Sequence, residues 1–302
     1  MNRWTRILLL FICHFAGAGE ATIAYQLATR YAPYADWGSS LNPAVITNKQ
    51  PSGWWRSPET IKVARSDSDL PLTGLHLALE PGHIGGAWAE WEGRHFRMTE
   101  RDYWVCEGEL VLEVAQRAAA ELRRMGARVS LLRRSNHPVN PRTFQDYWAI
   151  AAATLAAPIK QSLQAQLSHA LAIRNRATRM AIVTGELAER ARMVNESIRP
   201  DALVSLHINA APWGQTTPRR LVNTDHAHAL VFGCMLTAEL AEPGQRVRLI
   251  EKMTNGSGPI EAYLGGTLGE ALADATGLPA SNYSGDNAVR ITGSTPYLWA
   301  RN

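Results

Sequence analysis

His83 stands on a glycine-rich turn directly after an apolar run, in LALEPGHIGG over residues 77–86. A neutral imidazole is a metal ligand or a proton carrier, and its role depends on what the fold brings beside it. Two further ligand-type residues lie where an α/β fold would deliver them: Glu107, at the start of a helical segment, and His207, near the end of the apolar run 202–208. Two histidines and a carboxylate suit Zn²⁺, which hydrolytic sites hold with three protein ligands and an open fourth position. Each residue alone has a plainer account. An acid in the first turn of a helix is favoured by the helix dipole, a lone histidine commonly bonds the backbone inside a core, and Pro-Gly and Gly-Gly pairs make turns. The metal reading rests on the three occurring together.

Topology is what brings them together. Residues 75–79 read as a buried strand, and Leu110, Val111, Val114, Ala115, Ala118, Leu122 and Met125 recur at helical spacing over 107–125. Gly126 ends that helix. Residues 128–132 supply the next strand, so a strand, helix, strand unit with parallel strands is expected. A further strand over 202–208 follows a helix over about 184–197. Parallel strands of one sheet present their carboxyl ends at one edge, where open α/β sheets keep their chemistry. His83 and His207 belong to two such ends, and Glu107 starts a helix whose amino end faces the same edge. The expected fold is therefore α/β, a twisted and mostly parallel sheet flanked by helices, with an alanine-rich helical insertion over about 144–180. That insertion, interrupted at Pro158, is far longer than an ordinary connection. It either shields the site or is a helical hairpin that extends the core.

At 302 residues, 46% hydrophobic and 19% charged, the chain has the material for a full core and is neither disordered nor collagen-like. Arg3 and Arg6 precede the apolar run 7–15 and the small residues 16–18, which suits a cleaved secretory signal over 1–20. Export to a periplasmic or extracellular space is expected; a buried N-terminal helix is the alternative. A prefix over 21–72 is rich in Pro, Ser and Asn, with Tyr31, Tyr34, Trp37, Trp54 and Trp55 expected at the surface. Beyond the signal only Cys106 and Cys234 remain, too few for a disulfide scaffold, and unpaired burial is expected of both. A net charge of +4 and a pI near 9.1 fit adhesion to an anionic surface such as a cell wall. No basic run alternates with aromatics, so nucleic acid is not an expected partner.

LALEPGHIGG resembles the zinc-binding strand and turn of the type 3 N-acetylmuramoyl-L-alanine amidases, whose usual form is Asp-Pro-Gly-His-Gly-Gly. Glu80 stands here for the Asp, and Ile84 is inserted. The family's glutamate is followed five residues later by Leu and eight later by Ala, as Glu107, Leu112 and Ala115 stand, which favours Glu107 over Glu109. EVAQRAAAELRRMGARVSLLRR (113–134), Arg190 with Asn195, and PDALVSLHINA (200–210) are similar to three more of its motifs. The likeness covers roughly 75–210, with the insertion as its chief interruption. It implies a zinc amidase-like domain over 73–302, with His83, Glu107 and His207 holding Zn²⁺ and Glu80, Arg190 and Asn209 as supporting or substrate-facing residues. The implied reaction is hydrolysis of the amide between N-acetylmuramic acid and L-alanine, with peptidoglycan as the partner.

The resemblance also implies a second glutamate as general base, on a late strand in a pattern like "PaVLVExGFxsN". No acidic residue follows Asp286, and residues 297–302 read like the inside of a helix. The catalytic base is therefore unassigned and expected beyond Asn302, in a longer protein. Glu239, Glu251, Glu261 and Glu270 are substitutes without a recognisable strand context. A chain without the base would be a zinc-containing peptidoglycan-binding protein; another zinc peptidase, acting on the stem peptide, is the third reading. Some family members carry a helix that covers the metal until a partner displaces it, which would make residues 144–180 a lid and a regulatory protein a partner.

Overall fold

Strand β1 (His76–Pro81) is the centre of a three-stranded sheet in which β2 (Arg128–Leu131) and β3 (Ala202–Leu206) flank it, both parallel to it. Its side chains alternate, as those of a strand must. Leu77 and Leu79 point to the face covered by α1 (Glu107–Arg124), where Ala115 and Ala119 are fully buried and Leu122, Val129, Val204 and Leu206 complete the cluster. Ala78 points to the opposite face, against Leu132, Val194 and Ile198. The fold is α/β, a mostly parallel sheet with helices on its faces. In this computed structural model residues 25–35, 56–63, 69–157, 162–209, 223–283 and 287–301 are described. The secretory signal expected over 1–20 lies outside them, as do Trp37, Trp54, Trp55 and Pro158. None of the described helices is long and apolar enough to cross a membrane.

The chain divides into two compact units, one over residues 54–221 and one joining 1–53 to 222–302. In the first, the helix leading into β3 is much longer than the 184–197 expected. It runs from α2 (Leu163–Arg179) through a π-helical turn at Met180–Gly185 into α3 (Glu186–Arg192), and ends in a second π-helical turn at Met193–Ile198. The second half of the alanine-rich segment over 144–180 is thus the front half of this rod. It pairs with the short helix Trp148–Ala153 through a core of its own, with Ala151, Ile173 and Ala177 buried and Phe144, Tyr147 and Leu155 packed around them. Arg199 closes the rod in the left-handed conformation, φ 47°.

The second unit has a small sheet in the order β4 (Ala229–Val231), β6 (Leu298–Ala300), β5 (Val289–Arg290), with β4 parallel and β5 antiparallel to β6. The expectation of a helix over 297–302 is corrected: Leu298, Trp299 and Ala300 form the central strand and are all buried. A three-residue apolar run has no periodicity that separates helix from strand, and two strand partners decide it. Helix α4 (Pro243–Thr254) contributes Leu249 to a cluster with Met235, Leu240, Leu27 and Tyr31. Tyr31 is only 3% exposed, not at the surface as expected, whereas Tyr34 is exposed. Helix α5 (Ser257–Thr276) packs on β4 and β6. Cys106 in the first unit and Cys234 in the second are buried and in no disulfide.

Candidate metal centre

The turn after β1 is shaped by what must fit against it. A Cβ on Gly82 would lie 2.4 Å from His207 Cε1, so only glycine admits the His207 ring. His83 itself has φ 54°, a left-handed conformation uncommon for a non-glycine residue and retained only where the surroundings enforce it. Those surroundings are visible. The His83 carbonyl accepts a hydrogen bond from Arg190 Nη2 at 2.8 Å, and Glu92, on the short helix Ala89–Glu92, lies with Oε1 3.3 Å from His83 Nδ1 while accepting the Ile84 N–H at 2.8 Å. Ile84, the inserted residue, is fully buried.

Glu107 is the first residue of α1, and the peptide after it approaches the turn closely. A Cβ on Gly108 would sit 2.5 Å from Gly85 N and 2.7 Å from Ile84 C. From this position Glu107 Oε2 is 3.4 Å from His83 Nε2, and Oε1 is 3.3 Å from His207 Nδ1. Oε1 also accepts the Ile208 N–H at 2.9 Å, which ties the end of β3 to the start of α1. The two imidazoles meet edge to face, with centroids 5.0 Å apart at 88°. Burial alone would raise the Glu107 pKa; hydrogen bonds from His207 and Ile208 and the charges of His83 and His207 outweigh it and hold the carboxyl below its ordinary value. Each of the three residues offers a ligand atom, all within 4.8 Å of one another. Atoms bound about 2.0–2.2 Å from one tetrahedral ion stand ~3.3–3.6 Å apart, and each imidazole has that spacing to a different Glu107 oxygen, His83 to Oε2 and His207 to Oε1. Glu109 points elsewhere and accepts the Gly86 N–H at 3.0 Å.

Two buried arginines hold the frame. Arg190, on α3, donates to the Pro81 carbonyl at 3.1 Å as well as to His83, lies 3.4 Å from Glu80 Oε1, and forks onto Glu186 Oε1 at 2.8 and 3.0 Å. Glu80 in turn accepts the Ser205 hydroxyl across the β1–β3 register. Arg133, fully buried, donates to the carbonyls of Gly108 at 2.6 Å and Gly82 at 3.3 Å, clamping the first turn of α1 to the turn that bears His83. Burial and the neighbouring Arg190 charge pull its pKa down to about 10, which leaves it cationic at neutral pH.

The structure thus brings together His83, Glu107 and His207, with Glu80 and Arg190 behind them. Asn209 is exposed, two residues past His207. Asn195 is half-buried and donates to the Ala191 carbonyl. Glu92, Arg133 and Glu186 were not singled out from sequence. Arg133 lies in the 113–134 stretch that carried the resemblance, so a signal existed; Glu92 sits on a helix too short to show a pattern. Of the acids considered as substitute bases, Glu261 is ion-paired with Arg30 at 2.7 Å and Lys252 at 3.3 Å, and Glu239 accepts the Leu236 N–H. No protein-family model, curated protein or solved structure matches the chain.

Proposed function

We propose that this chain is an exported zinc-dependent amidase that hydrolyses the bond between the lactyl group of N-acetylmuramic acid and L-alanine in peptidoglycan. The observation that carries the reading is the convergence of His83, Glu107 and His207 at the carboxyl edge of the parallel sheet, ligand atoms within 4.8 Å. The resemblance of residues 75–210 to the amidase motifs supplies the substrate. A bound zinc ion supplies Lewis acidity towards a carbonyl and a water acidified towards a pKa of ~7. The chain's own groups do the positioning. The Ile208 N–H holds Glu107 Oε1 at 2.9 Å, and Glu92 fixes the His83 ring through Nδ1, leaving Nε2 turned towards Glu107. Arg190 and Arg133 lock the turn that carries both the strained His83 and Gly82.

A second reading has its own observation. Among the described residues the carboxylates around the cluster are committed: Glu92 to Ile84 and His83, Glu80 to Ser205 and Arg190, Glu109 to Gly86. Glu80 and Glu92 are thereby held as supports, and only the exposed Glu109, bonded through Oε1, stands open to solvent beside the turn; a chain in which it moves no proton is a zinc-containing peptidoglycan binder. Incubation of the zinc-loaded protein with purified muropeptides and mass analysis of the products separates the readings. The amidase releases an intact stem peptide with a free L-alanine amine and loses both zinc and activity in His83→Ala and His207→Ala. A binder retains wall material and releases nothing, a peptidase cuts within the stem, and a metal-free variant that still cleaves contradicts both zinc enzymes.

A further inference from the structure

At the amino edge of the same sheet, about 16 Å of strand away from the metal-ligand cluster, lies a cavity of about 410 Å³ lined by Arg56, His76, Arg128 and Arg199. Three of these residues are arginines, and one carboxylate is bonded to this lining. That carboxylate, Asp201, is already spent: Arg56 forks onto it through Nε at 2.7 Å and through Nη2, and it also accepts the His76 N–H at 2.7 Å. Its charge cancels one arginine. Arg128, the first residue of β2, and Arg199, just ahead of β3, have no carboxylate partner among the described residues, so two positive charges remain at the cavity. His76 adds none. Its Nε2 is 2.9 Å from Ser130 Oγ, and burial, helped by the Arg128 charge, lowers its pKa and keeps it neutral.

Arg199 is tied back to its own helix, its Nε donating to the Asn195 carbonyl at 3.3 Å. It ends the long helical rod in the left-handed conformation, φ 47° and ψ 62°, where glycine or asparagine would fit without the roughly 1 kcal/mol cost borne by a branched-off side chain. Asp201 is satisfied by one arginine fork and one backbone N–H; two further exposed guanidiniums suit an oxyanion with more acceptor faces and a double charge. We propose that this cavity is a binding site for a phosphate group, separate from the metal-ligand cluster, with Arg128 and Arg199 as its principal donors. The phosphate comes from solution or from an anionic lipid headgroup.

Calorimetric titration of the whole protein with inorganic phosphate at constant ionic strength tests this, with sodium chloride as the control for the general positive charge. Saturable binding is expected in the wild type and in His83→Ala, and at least a tenfold loss in Arg128→Gln/Arg199→Gln, while Arg199→Lys retains part of it. Both arginines are exposed, and unchanged melting temperatures show that the variants fold. Sedimentation with vesicles of phosphatidylcholine containing phosphatidylglycerol distinguishes the sources: arginine-dependent vesicle binding identifies a lipid headgroup, and phosphate binding without it a soluble phosphate. Absence of saturable binding, equal binding in the double variant, or binding that vanishes in His83→Ala would overturn the proposal.

Discussion

Removing the Glu92 carboxylate tests how the centre is held. The side chain is only 9% exposed and serves two donors, the Ile84 N–H at 2.8 Å and the His83 ring, whose Nδ1 is 3.3 Å away. In Glu92→Ala the Ile84 N–H is left without its acceptor in a buried turn, which costs about 1–3 kcal/mol of stability. For a unit of this size that is a fall of ~2–12 °C in melting temperature. The His83 ring loses the partner that orients it, and losses of this kind lower metal affinity about 10- to 100-fold, or roughly 1.4–2.7 kcal/mol. Glu92→Gln keeps one acceptor oxygen and should fall at the mild end of both ranges. Glu90→Ala, exposed on the same short helix, should leave both unchanged. Competition for zinc against a fluorescent chelator reads the affinity, and thermal melting reads the fold. Zinc affinity of folded Glu92→Ala within twofold of wild type would refute the orienting role.

Gly82→Ala and Gly108→Ala should fail in different ways. The Cβ at 82 meets the end of the half-exposed His207 side chain, which can swing aside, so the melting temperature should hold while zinc affinity falls at least ~10-fold. At 108 the Cβ meets the backbone of Ile84 and Gly85, and this clash outweighs the ~1 kcal/mol that alanine gains in a helix. That variant should melt several degrees lower in a thermal scan, and a rise would contradict the close approach. In the second unit, burial lowers the pKa of His228 from 6.5, reinforced by the charges of His226 and Arg301. A folded pKa below the unfolded one means that the associated stability is complete above about pH 6.5 and is lost as the pH falls through the folded value. His228→Gln, which can still accept the Tyr283 hydroxyl, should therefore lose less melting temperature than wild type between pH 7.5 and 5. An equal loss would assign the acid sensitivity to other groups.

The first unit was legible in sequence because its elements are long or doubly marked. Apolar spacing and the Gly126 stop define α1, and two apolar runs of strand length, each ending in a histidine, define β1 and β3. Once these are parallel neighbours, the meeting of His83, Glu107 and His207 follows from topology. What sits behind them does not. Glu92 reaches His83 from a four-residue helix, Arg133 acts on carbonyls that any residue possesses, and the left-handed His83 is enforced by contacts rather than by its own preference. The joining of α2 to α3 was hidden because π-helical turns shift the phase of the apolar pattern and imitate a break. Leu298–Ala300 was misread for the opposite reason: too short for a period, it takes its structure from β4 and β5.

The central claim is that His83, Glu107 and His207 bind one zinc ion together. Elemental analysis of the purified protein, equilibrated with zinc and passed through a desalting column, tests it most directly. One zinc per chain is predicted, with loss in each of His83→Ala, Glu107→Ala and His207→Ala and retention in Glu109→Ala. Substoichiometric zinc in the wild type, or a full equivalent in any of the three ligand variants, would contradict it.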